Sequence, residues 1–326
     1  MLTRSTFAAQ QSDNRRNSLL LIVLVTLVLA ALGFAIGYGT TGAVQGAFAV
    51  TTGAIVLAMV LSVGSYFAGD QLVLATSGAR QVSQQSAPQL MNVVQEMALA
   101  AGVPMPKVYV IDDTAPNAFA TGRDPDHASV AITTGLLQKL DREELQGVMG
   151  HELSHVRNFD IRFALLVAVL VGSIALLADF FLRFTFWGGG RRGGDRDRGG
   201  GGLVAIVYIL AIVLAIIAPF IARLVQLAVS RQREYLADAS SVELTRNPAG
   251  IQRALAKIAS DKEVLEVANR ATQHLYFTNP IKKFEERSSS MFSTHPAIVD
   301  RINRLRQLTG DPPLDQADVQ ALQGLD

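Results

Sequence analysis

The chain has 326 residues, of which 49% are hydrophobic and 17% charged, with a formal net charge of +1. That balance is too apolar for an ordinary soluble domain, so part of the protein is expected in a bilayer, and no nucleic-acid partner is expected. With no cysteine, the chain can form neither disulfides nor thiolate metal sites, which agrees with a cytoplasmic domain.

A hydrocarbon core of about 30 Å needs roughly twenty apolar residues in a helix. Near the N-terminus, residues 19–38 and 43–68 are two such uncharged runs with almost nothing between them, which predicts a helical hairpin rather than a cleaved signal. Next comes a compact α/β stretch. Residues 88–101 have helical periodicity and Gly102 ends them; 107–111 alternate like a short strand; 117–121 and 128–133 are extended runs split by the turn Gly122-Arg123-Asp124-Pro125. A helix then opens at Asp141, with Glu144 completing a capping box.

Two more apolar runs, 163–186 and 203–225, flank a Gly- and Arg-rich loop. Asp179, Arg183 and Pro219 interrupt them, so this second hairpin either spans the membrane or docks against it. Helical runs at 247–259 and 297–308 follow, and there is no internal repeat. The expected organisation is therefore an N-terminal segment (1–18), a transmembrane hairpin (19–68), a first catalytic part (80–162), a second hairpin (163–225) and a second catalytic part (226–326).

The helix after Asp141 carries His151-Glu152-Leu153-Ser154-His155, two of the chain's five histidines in an H-E-x-x-H pattern. Residues four apart share a helix face, so both imidazoles can reach one zinc ion while Glu152, about 100° round the axis, flanks the ion's water. A catalytic site needs a third ligand and an open position. Glu234 is the candidate, and Asp238, one turn on, is placed to accept the outer N–H of a ligating histidine. Acidic residues four apart are common on solvated helices, so this pair gains its meaning from the first motif. Position along the chain agrees: His155 precedes the third apolar run and Glu234 follows the fourth, so a hairpin that crosses and returns leaves both on one side. Arg4, Arg15, Arg16, Arg80, Arg223, Arg231 and Arg233 put that side, with both termini, in the cytoplasm. The arginines at 191, 192, 196 and 198 in the loop between the last two runs oppose this orientation.

These motifs resemble the HtpX group of bacterial membrane zinc metalloproteases, gluzincins related to the CAAX prenyl proteases. The likeness covers nearly the whole chain: a membrane hairpin, Asn117-Ala118-Phe119-Ala120, the H-E-x-x-H, a second apolar hairpin, Glu234 to Asp238, and Ser293-Thr294-His295-Pro296 before a basic helix. It implies an α+β membrane protein, a mainly helical gluzincin-like domain with a small β-sheet and two transmembrane hairpins. It also implies one Zn2+ per chain and a bacterial inner-membrane location beside lipid. The implied substrates are unfolded or damaged membrane proteins, a quality-control and stress-response role. By the same resemblance, residues 117–120 line the cleft as a substrate-binding edge, and His295 stabilises the oxyanion, with Arg301 nearby. His127 and His274 match no motif and are read as loop or surface residues.

The expected reaction is attack of zinc-activated water on a peptide carbonyl, with Glu152 as general base and then acid. Two other readings stand beside it: a prenyl-protein endopeptidase, and a membrane scaffold or chaperone with structural zinc. The second fits poorly, because structural sites are usually closed by four ligands. A transporter fits poorly too, since the first two runs carry no ionisable residue.

Overall fold

The structure is a computed structural model; it describes residues 16, 23, 26–39, 41–164, 209, 212–213, 233–261, 277 and 296–323. The chain divides into two compact units, Arg15–Tyr66 with Leu166–Gln226, and Met1–Asn14 with Phe67–Leu165 and Leu227–Asp326.

In the first of these units, helical residues 26–39 pack against the start of helix α1 (Val44–Thr76). Contact is close because small residues meet there. A Cβ on Gly37 would lie 2.7 Å from the Ala47 Cα, and one on Gly33 would lie 3.0 Å from the Thr51 Cα. The Phe34 and Phe48 rings close the seam edge to face, 6.1 Å apart. Elsewhere on α1 several large apolar side chains, Phe48, Val56, Leu57, Met59, Val60 and Val63, are exposed. Among the described residues no helix is long and apolar enough to cross a membrane. The spans expected at 163–186 and 203–225 lie almost wholly outside the described residues, as does the N-terminal part of the run 19–38.

The other unit is mainly helical with a small mixed sheet. Strands β1 (Arg80–Gln81), β2 (Lys107–Ile111), β3 (Ala118–Gly122) and β4 (Ala128–Thr133) lie in the order β1-β2-β4-β3. The β2–β4 pair is parallel and the other two are antiparallel, which leaves β3 on one edge. Helix α2 (Pro88–Ala101) starts with Pro88 in its first turn and stops at Gly102, left-handed at φ 67°, as a C-terminal glycine allows. The turn after β3 tightens into a short 3-10 helix, Pro125–His127, capped by Asp124.

A short helix α3 (Thr134–Lys139) leads into α4 (Arg142–Arg157). In α4 the Asp141 side chain accepts the Glu144 N–H and the Glu144 carboxylate accepts the Asp141 N–H. This box fixes where α4 begins, and hence which residues face the core. Eleven of its residues are buried, His151 and Glu152 among them, so the helix runs through the unit's interior. Glycine admits its neighbours: a Cβ on Gly147 would sit 2.7 Å from the backbone N of Ile251 in α5 (Pro248–Ser260), and Ser241 Oγ donates to the Gly147 carbonyl at 2.6 Å. That second contact docks the helical residues 233–245, which carry Glu234, onto α4. Helices α6 (Ile298–Thr309) and α7 (Gln316–Gln323) complete the unit.

Candidate metal centre

Three side chains converge where α4 meets the helical residues 233–245. His151 Nε2 and His155 Nε2 are 3.1 Å apart, and each lies 3.5 Å from a Glu234 carboxylate oxygen. Each imidazole has a carboxylate at its other nitrogen. His151 Nδ1 is 2.9 Å from Asp238 Oδ1, and His155 Nδ1 is 3.0 Å from Asp160 Oδ2. An ionised carboxylate only accepts, so each ring places a proton on Nδ1 and, in its neutral form, turns an Nε2 lone pair inward. With both rings neutral, two lone pairs and an anion within 4.8 Å of one another favour a cation among them, beyond the Arg301 Nη1 that lies 3.7 Å from Glu234 Oε2.

The donor set fits zinc. Nitrogen and oxygen ligands about 2.0–2.1 Å from a tetrahedral ion are separated by about 3.4 Å; the two Nε2 atoms are 3.1 Å apart, and each lies 3.5 Å from a different oxygen of Glu234. Glu152 supplies a second sign. Its carboxyl is 1% exposed and its Oε1 has no hydrogen-bond partner among the described residues, although it lies within electrostatic reach of His151, His155 and Glu234. Burial pushes the Glu152 pKa up, against the pull of the two histidines and of the Ala120 N–H that donates to it. Burial lowers the His155 pKa, but its bonds to Asp160 and Glu234 outweigh this and raise it well above the usual imidazole value. The cluster therefore draws positive charge to itself.

Arg301 anchors the far side. Fully buried, it donates from Nη2 and Nε to the two Asp238 oxygens at 2.6 and 2.8 Å, and from Nη1 to the Phe277 carbonyl at 2.8 Å. Burial pushes Asp238 up, yet the guanidinium wins and holds it below the ordinary carboxylate range. Phe277 lies under both groups, its ring edge to face with His151 at 4.7 Å and 4.5 Å from the guanidinium carbon.

Of the residues expected at the site, His151, Glu152, His155, Glu234 and Asp238 come together, with Arg301 beside them. Ala118 to Ala120 lie in edge strand β3 and Asn117 just precedes it. Three groups on the edge are already engaged: the Ala118 N–H donates to Asn117 Oδ1 at 3.0 Å, the Ala118 carbonyl accepts the Phe277 N–H at 2.7 Å, and the Ala120 N–H meets Glu152. His295 lies outside the described residues, as does His274. His127 is exposed, pairs with Asp124 at 2.7 Å and is not among the converging donors. Asp160 and the Asp238–Arg301 pairing were missed. For Asp160, beyond the end of α4, helical spacing gives no signal, and for Arg301 nothing local shows a bond across 63 residues.

An H-E-x-x-H helix joined by a glutamate from a later helix, beside a small mixed sheet, defines a metalloprotease. The chain belongs to peptidase family M48, whose model matches residues 84–309. It is 45% identical over 300 residues to a Protease HtpX homolog of Streptococcus uberis, covering 92% of this chain and 99% of that protein. A Protease HtpX homolog of Caldanaerobacter subterraneus is 43% identical over 313 residues, at 94% and 100% coverage. Among solved structures, the crystal structure of S. mikatae Ste24p aligns with a TM-score of 0.45 and 17% identity, over 77% of this chain and 57% of that one.

Proposed function

We propose that the protein is a membrane-embedded zinc endopeptidase that cuts unfolded or damaged membrane proteins at the cytoplasmic face of a bacterial inner membrane. The observation that carries the chemistry is the convergence of His151, His155 and Glu234 donors at 3.1–3.5 Å beside Glu152 Oε1, which has no hydrogen-bond partner among the described residues. Zinc bound there supplies a Lewis acid that polarises a peptide carbonyl and acidifies water. Glu152, kept basic by burial, takes the proton of the attacking water and returns it to the leaving amine. The Asp238 and Asp160 carboxylates hold the two imidazoles in place. Strand β3 lies on the sheet edge, and an extended substrate is assigned to add there through the edge groups that Asn117, Phe277 and Glu152 do not already hold. His295 is assigned to the oxyanion. Membrane embedding is supported by the apolar runs and by the exposed apolar side chains of α1.

Chelation tests the reading. Detergent-solubilised protein is expected to cleave casein, to lose that activity in excess 1,10-phenanthroline, and to regain it when zinc is added back. Activity that persists through chelation, with zinc removed by assay, sinks the metal-dependent reading. Reporter fusions at Gly194 test the topology: an external location supports a spanning second hairpin, and a cytoplasmic one a docked hairpin.

A further inference from the structure

The two histidines of the cluster are backed by unlike acids. Asp238, behind His151, is gripped by Arg301 at two points. Asp160, behind His155, reaches its place through an unusual turn. The chain leaves α4 at Asn158 and bends at Phe159, which adopts a left-handed φ of 60° although it is not glycine. Such a conformation persists only where its surroundings hold it. Here the Arg162 guanidinium lies 4.9 Å over the Phe159 ring while its Nε donates to the Arg123 carbonyl at 2.7 Å. The bend brings the Asp160 carboxylate back onto the imidazole five residues earlier. Its other oxygen lies 3.5 Å from Arg233 Nε, and the Arg233 guanidinium stacks 3.7 Å from the Phe163 ring centroid. Arg233 immediately precedes Glu234. One buried carboxylate thus bridges the two elements that carry all three donors.

We propose that Asp160, with Arg233, is a positioning residue of the metal centre: it holds His155 with Nε2 facing the ion and sets the spacing between His155 and Glu234. The proposal rests on the zinc reading of the cluster. An acceptor behind a ligating histidine typically changes metal affinity about 10–100-fold, so Asp160→Ala is expected to weaken zinc binding by that factor. Asp160→Asn keeps an acceptor for the Nδ1 proton but loses the charge, and is expected to fall between.

The test uses the full chain in detergent: zinc affinity by competition with a chromophoric chelator, the visible spectrum of the cobalt(II)-substituted protein, and thermal unfolding of the metal-free form. Weaker zinc binding with shifted cobalt bands, beyond any change in metal-free stability, supports the proposal. Affinity within about twofold of wild type in both variants overturns it, since an outer partner is worth more than that. So does a loss matched by lower metal-free stability with unchanged cobalt bands, which marks a merely structural residue. If Asp160→Ala does not fold, Asp160→Asn decides by the same readouts. A wild-type protein that binds neither zinc nor cobalt overturns the metal reading itself, and the proposal with it.

Discussion

Exchanging Glu152 for Gln is expected to lower cleavage of an unfolded protein such as casein by about 10²–10⁴-fold while zinc stays bound. The amide matches the carboxylate in size and still offers the Ala120 N–H an oxygen, so the backbone of α4 and strand β3 keep their contact. What it lacks is a lone pair basic enough to take a proton from water. Glu152 is not among the three converging donors, so the ligand set is intact. Zinc content by atomic absorption, measured beside the rate, separates the two roles. Equal cutting by the variant contradicts the assignment of Glu152 as base, and loss of zinc with activity reassigns it to the metal.

Exchanging Arg301 for Met is expected to cost the most in stability. The guanidinium is fully buried and makes two bonds to Asp238 and one to the Phe277 carbonyl. Its removal leaves the Asp238 carboxylate buried with, among the described residues, only His151 bonded to it, and breaking one side of a buried pair costs about 3–5 kcal/mol. Thermal unfolding of the metal-free protein measures this without interference from zinc binding. The sign with pH follows from the same bond. Asp238 is depressed in the fold, so its contribution is present above the unfolded carboxylate pKa of about 4 and is lost as pH falls through the lower folded value. The gap between wild type and variant should narrow in acid. A variant as stable as wild type at neutral pH contradicts this account of Arg301.

Local signals were legible in the sequence, because the rules that set them act over a few residues. The capping box at Asp141, the glycine stop at 102, and the strands at 107–111 and 128–133 stand within a residue or two of where they were read. The H-E-x-x-H spacing stacks two histidines because helical periodicity leaves no other arrangement. Less was legible where an element is short or a partner distant. Strand β1 has two residues, both exposed, and only its pairing with β2 makes it a strand. Asp160 sits one turn past the helix end, so helical spacing does not reach it, and the left-handed Phe159 that returns it to His155 carries no glycine to announce the turn. By its local pattern Arg301 is one more cation on a basic helix, the family resemblance puts it near the site, and only the packing of α6 reveals it as the buried counter-ion of Asp238.

The central claim is that His151, His155 and Glu234 hold one zinc ion. Its most direct measurement is the zinc content of purified wild type beside His151→Ala, His155→Ala and Glu234→Ala, with folding followed by circular dichroism. About one zinc per wild-type chain, and little or none in each folded variant, is the predicted result. Wild-type stoichiometry retained in a folded Glu234→Ala or histidine variant would show that the ion is held elsewhere, and would contradict the account.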